Sequence, residues 1–108
     1  MLTKSDFVKH EECPIWLWLH KSRPDLLPEV SPELERVFDT GNQVDQLARK
    51  LYPEGIEIEG YFNEGWANTK IAIDRGERVM FQPTAVTLDG LSSRADFLTK
   101  DEATGLWD

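Results

Sequence analysis

Asp96 stands in a run, Leu91-Ser92-Ser93-Arg94-Ala95-Asp96-Phe97-Leu98, where small and apolar residues flank one carboxylate. Ahead of it, Val86-Thr87-Leu88-Asp89-Gly90-Leu91 sets an Asp-Gly pair between two β-prone runs, a strong hairpin signal. Aspartate is depleted from strands, and burying one without a cation or lysine beside it is unfavourable. After a turn from Thr99 to Gly105, Leu106-Trp107-Asp108 reads as the opening of a further strand. A carboxylate on one strand with another entering beside it is the framework of a metal-dependent phosphodiester-cleaving site. That framework also needs a second carboxylate and a lysine. The plainer reading of Asp96 is a polar residue on the solvated face of a hairpin.

Other chemistry-bearing residues are sparse. Cys13 is alone, so no internal disulfide and no cysteine-built zinc site is possible; the ordinary expectation for it is a buried small hydrophobe. His10 and His20 make no metal spacing with it and have no nucleophile-and-base pattern around them. Trp16, Trp18, Trp66 and Trp107 are expected to anchor the core, since basic residues do not alternate with them as in single-strand binders. Trp16 and Trp18 cannot share one side of a helix turn, so one of them packs elsewhere or stays partly exposed.

These residues need elements to position them. Thr3-Lys4-Ser5-Asp6 can cap a first helix with an acid in its first turn, and Pro14 predicts a kink or restart. Arg23 to Pro28 is a proline-bounded connector. Ser31-Pro32-Glu33 then opens a second helix with a cap, a proline at the first position and a favourable charge. Leu34, Val37, Phe38, Gly41, Val44, Ala48 and Leu51 recur at three- and four-residue steps and form one apolar stripe. Glycine inside a helix costs about 1 kcal/mol against alanine, so Gly41 on the stripe points to close approach of another backbone or to a site. Ile56 to Ile58 is a short strand candidate. Asn63 to Arg75 is a third helix, with Asn63 expected as cap and Gly76 past its end. Arg78 to Gln82 begins the first hairpin strand, and Pro83 implies an edge or a bulge.

At 108 residues and 12.4 kDa the chain has room for one domain with a modest core, or part of one. Its 40% hydrophobic and 30% charged residues fit a globular protein and not a disordered one. No apolar run approaches the roughly 20 residues that span a bilayer, and the N-terminus lacks a secretion-signal layout; a cytoplasmic location is expected. With 20 acidic against 12 basic residues and a net charge of −8, the isolated chain is not expected to grip nucleic acid through its overall charge.

Taken in order, Leu2 to Phe7, Glu12-Cys13-Pro14, Leu17 to Lys21, Arg23 to Pro28, Phe38 to Val44, Leu47 to Arg49, Asp89-Gly90-Leu91 and Arg94 to Leu98 resemble the N-terminal part of a bacterial family of RecB-like nucleases with the PD-(D/E)XK fold. The similarity runs along nearly the whole chain and is carried by order and spacing, not by any single motif. It implies an α+β arrangement: N-terminal helices over residues 1–55, then a short helix and a mostly antiparallel sheet edge over 56–108. Together these make one partial domain, the front of a restriction-endonuclease-like fold. It further implies Mg²⁺- or Mn²⁺-dependent cleavage of DNA by the parent protein, with Asp96 as the metal-binding carboxylate. A Glu-x-Lys motif on the next strand would supply the other carboxylate and the lysine. That motif is expected beyond Asp108, so the chain alone is expected to be inactive.

Two positions depart from the family pattern. Where related nucleases often carry a histidine ligand four residues after the helix glycine, this chain has Asp45, which could bind a hard cation through oxygen or be the solvated border of the stripe. Gln82 stands where a glutamate is expected. Some relatives hold an iron–sulfur cluster, and Cys13 matches its first cysteine, with the other three outside this sequence. The alternative reading, from a different class, is a small acidic interaction module whose open strand edge pairs with another protein or with its own kind.

Overall fold

Local chemistry writes each helix boundary. The computed structural model describes all 108 residues. Strand β1 (Leu2–Thr3) runs directly into helix α1 (Lys4–Glu12), whose N-terminus is a reciprocal cap. The Asp6 N–H donates to Thr3 Oγ1 at 3.1 Å, and the Thr3 N–H donates to Asp6 Oδ2 at 2.9 Å. Pro14 cannot continue α1, yet it suits the first position of α2 (Pro14–Ser22), so the chain restarts there instead of bending. Helix α3 (Pro32–Leu51) begins on Ser31, whose Oγ accepts the Leu34 N–H at 3.2 Å. It carries Glu33 and Glu35 in its first turn and Arg49 and Lys50 in its last, matching the helix dipole.

The strands form two small mixed sheets. In the first, β1 lies parallel to β5 (Leu91–Arg94), and β5 is antiparallel to β4 (Thr84–Val86). In the second, β2 (Ile56–Glu57) is parallel to β3 (Val79–Phe81), which is antiparallel to β6 (Phe97–Thr99). Antiparallel positions outnumber parallel ones, as expected, although each sheet also carries one parallel pairing. The Asp-Gly hairpin is present: Val86 pairs with Ser92, and Gly90, at φ +84°, takes the left-handed position that closes the loop. Beyond β6, Lys100 bridges Trp107, and Thr99 and Asp108 exchange backbone hydrogen bonds at 2.8 and 2.9 Å. The Leu106–Asp108 segment thus enters beside β6 and partly covers its edge.

Helix α4 (Phe62–Asp74) packs on β4. Its cap position is Tyr61, not the expected Asn63, because Phe62 already opens the helix. Thr69 Oγ1 donates to the Gly65 carbonyl at 2.8 Å and accepts the Thr84 N–H at 3.0 Å, tying helix to strand. A Cβ on Gly65 would lie 2.8 Å from the Gly60 carbonyl oxygen and 2.7 Å from Thr84 Oγ1. Alanine ordinarily gains about 1 kcal/mol over glycine in a helix, but here backbone must move to admit it. Gly65→Ala is therefore expected to destabilise, by about 1–3 kcal/mol, in urea unfolding followed by circular dichroism; a stabilised variant would show that α4 stands off β4.

Only 11 of 108 residues are buried, so the core is thin. Its apolar centre is Ile58, Ala72 and Met80, with Ile56, Ile73 and Trp107 packed around it. The apolar stripe of α3 does not enter the core: Leu34, Val37, Phe38, Val44, Leu47 and Leu51 are all exposed, Leu51 to 76%. Helix α3 is built by its own caps and charges and stands away from the sheets. The radius of gyration, 16.3 Å, exceeds the about 13 Å of a compact chain this long for that reason. Trp107 does anchor the core and Trp66 is half-buried, whereas Trp16 and Trp18 lie on the surface. No helix is long and apolar enough to cross a membrane.

Candidate functional site

The two halves of the hairpin do not form one continuous ribbon. On one strand Gln82-Pro83 interrupts β3 and β4, and opposite it Ala95-Asp96 interrupts β5 and β6. Pro83 has no N–H to offer the ladder, and Gln82 adopts φ +57°, a left-handed conformation unusual for a non-glycine residue. Pairing survives across the break: the Gln82 N–H donates to the Asp96 carbonyl at 2.9 Å and the Ala95 N–H to the Pro83 carbonyl at 3.0 Å. Arg94 Nε donates to the Gln82 carbonyl at 3.2 Å. The ribbon therefore kinks there and passes from one sheet to the other. The single Leu91–Leu98 strand read from the sequence is corrected to two short strands, and Asp96 sits at their junction.

Across from this kink stands α3. Gly41 and Asp45, one turn apart and hence on one face, join Gln82, Asp96 and Phe97 in lining a cleft of about 640 Å³. Residues separated by about forty to fifty positions in sequence thus meet at one place. Gly41 does not mark close approach of another backbone, since nothing lies within 4 Å of where its Cβ would be. It brings no side chain into the cleft it lines.

The two carboxylates differ. Asp96 is exposed and pairs with no cation. Asp45 is half-buried; its Oδ2 accepts Arg49 Nε at 2.8 Å, while its Oδ1 is buried with no hydrogen-bond partner. Arg49 also reaches Glu57 Oε1 at 3.2 Å and lies 4.9 Å from the centre of the Phe81 ring. The Asp45 and Glu57 carboxylates raise the Arg49 pKa above its ordinary value, with the Asp45 hydrogen bond the larger cause. An uncompensated buried carboxylate oxygen costs free energy, and it is offset when a cation or a donor arrives.

Whether these residues fit a metal is decided by their oxygens. Mg²⁺ keeps several waters and commonly uses only one or two protein carboxylates; Asp96 is open to solvent, whereas Asp45 Oδ1 is shut off from it. No group of three or more His, Cys, Asp or Glu side chains converges anywhere in the structure, so the residues present fit at most an ion held by the exposed Asp96 carboxylate with water filling the rest of its shell. Cys13 does not fit a cluster on its own: it is exposed at the start of α2, contrary to the buried position expected of it, and it is the chain's single cysteine where four thiolates are needed. What the sequence did not show is Arg49, which holds Asp45 in place; its four-residue spacing from Asp45 was the available signal.

These features define an α+β protein of four helices and two small mixed sheets whose candidate site lies between a free-standing helix and a ribbon kink. Comparison with protein-family models, with curated proteins and with solved structures returned no match for this chain.

Proposed function

We propose that the cleft between α3 and the kink is the metal-binding part of a RecB-like, PD-(D/E)XK-type deoxyribonuclease site. Asp96 anchors a hydrated Mg²⁺ or Mn²⁺, and Asp45, on the same cleft, supports it. The observation that supports this reading most is that Asp45 and Asp96 line one cleft, with open space around Gly41. When bound, such an ion lowers the pKa of its water and neutralises charge developing on a phosphodiester. The chain's own residues hold the ion and orient it against the kink. No lysine lines this cleft, so cation binding without turnover is proposed for this chain, with DNA as the substrate class the nuclease reading implies.

Mn²⁺ titration followed by calorimetry tests it. Saturable binding is expected for the wild type, weakened by at least about tenfold in Asp96→Asn, the loss that even an outer-sphere partner causes. Asp45→Asn should weaken it less, because Oδ2 already belongs to Arg49. No saturable binding, or binding indifferent to both substitutions, rules the site out. DNA hydrolysis by this chain that depends on Asp96 would overturn the claim that it does not turn over. One observation favours a second reading, a non-catalytic acidic interaction module: the exposed apolar stripe of α3 is larger than a solvated helix needs. Loss of all cation binding together with an intact fold would move the balance to it.

A further inference from the structure

Six positions of α3, Leu34, Val37, Gly41, Val44, Ala48 and Leu51, follow one another at steps of three, four, three, four and three. That alternation is the heptad pattern, which keeps one seam of a helix turned toward a second helix. No element of this chain lies along the seam. Leu34, Val37, Val44 and Leu51 are 43% to 76% exposed, and nothing stands within 4 Å of where a Gly41 Cβ would be. Helices gain most of their stability from packing an apolar face, so α3 lacks the cover for which its spacing is suited.

We propose that a second copy of this chain packs on α3 in antiparallel register, forming a two-fold symmetric dimer. The step pattern reads the same in both chain directions, so the seam fits an inverted copy of itself. Leu34 then meets Leu51 of the second copy, Val37 meets Ala48 and Gly41 meets Val44, so each small residue faces a β-branched one. A parallel copy would set Gly41 on Gly41 and Ala48 on Ala48, leaving voids in the seam. Charge favours the same direction. The first half of α3 carries Glu33, Glu35 and Asp39 against Arg36, and the second half carries Arg49 and Lys50 against Asp45. Glu33, Glu35 and Lys50 belong to no ion pair within the chain, and inversion brings the acidic first turn beside Lys50 of the other copy. Leu34 to Leu51 spans about 26 Å at 1.5 Å per residue. One helix pair of that length sits near the lower limit of about 1,000 Å² for a specific interface, so the dilute chain keeps α3 open and association needs high concentration. The proposal rests on the exposed stripe behind the interaction-module reading and names its partner. Val37, Gly41, Val44 and Ala48 also line the cleft shared by Asp45 and Asp96, so the dimer uses the α3 wall of that cleft.

Sedimentation velocity of the full chain in EDTA tests it, at about 0.15 M salt, where screening over about 8 Å limits the repulsion between two acidic copies. The mass is expected to rise from 12.4 kDa toward twice that as concentration increases. Val44→Glu, a change on an exposed helix surface, puts a carboxylate into two apolar layers at once. It is expected to weaken the dimer at least about a hundredfold, as an unpaired buried charge does. Gly41→Leu, whose Cβ meets nothing in the single chain, should wedge the same layers apart and serves if the charged variant does not fold. Direction is read by cross-linking in a Cys13→Ser background. Leu34→Cys and Leu51→Cys chains are expected to form a disulfide when mixed, and neither with its own kind; linkage of each to its own kind would overturn the antiparallel register. A wild type that stays monomeric at every concentration, or a dimer indifferent to both seam variants, would overturn the proposal. Mn²⁺ binding lost in Asp96→Asn would set aside the interaction-module reading, whereas the mass measurements decide the dimer, so the two fail separately.

Discussion

Met80→Ala is expected to remove about 2–5 kcal/mol of unfolding free energy, the range found for large-to-small changes at fully buried sites. Met80 is the one large side chain with no exposure at all, and it sits in the cluster with Ile58, Ala72 and the flanking Trp107. A chain of this length has about 5–15 kcal/mol to lose in total, so the single substitution takes a large share of it. Leu47→Ala on α3 makes the contrast, because Leu47 is 60% exposed; its cost should stay within about 0.5 kcal/mol, as for ordinary surface changes. Urea unfolding monitored by tryptophan fluorescence measures both, with Trp107 reporting directly on the Met80 neighbourhood. Equal costs at the two positions would mean that α3 is covered in solution.

The second large effect lies at Asp6. Its carboxylate is 2% exposed and accepts from the Thr3 N–H, and Lys21 Nζ stands 2.7 Å from Oδ2. Burial alone would push its pKa up; the Lys21 hydrogen bond and the Thr3 donor outweigh it and hold the group at about 2, against an ordinary 3.8. The folded-state value is the lower one, so the stability it contributes is complete above pH 3.8 and is lost as pH falls toward 2. Asp6→Asn should flatten that part of the stability–pH profile. Asp6→Ala should cost about 2 kcal/mol at neutral pH, combining a lost cap with a lost charge-assisted hydrogen bond. Lys21 itself is 44% exposed and returns to water at little cost, which keeps the figure from rising further. A wild-type profile that stays flat between pH 4 and 2 would show that the Lys21 contact does not persist.

Much of this fold was legible because local rules sufficed for it. Ser31-Pro32, Thr3 with Asp6, Pro14 and the Asp-Gly turn each act within a few residues, and each boundary falls where the chemistry of those residues puts it. Burial was not legible for α3: periodicity says which face is apolar, never whether anything arrives to cover it. The parallel pairings of β1 with β5 and β2 with β3 join residues far apart in sequence, and alternation within so short a strand carries no register signal. Of the candidate site, Asp96, Asp45, Gly41 and Gln82 were named from sequence and share one cleft, while Cys13 stands apart. The role of Arg49 escaped notice because its second partner, Glu57, comes from a strand that no local pattern places beside α3.

Arg49 pairs with Asp45 inside α3 and with Glu57 beyond it, so a tilt of α3 would take the Glu57 ion pair as its pivot. Asp45 lies about 6 Å along the helix axis from that pivot and Leu34 about 22 Å, at 1.5 Å per residue. Any tilt that swings the far tip by a given amount moves Asp45 by only about a quarter as much. The inner end of the helix, which carries Asp45, would thereby shift far less than its outer tip.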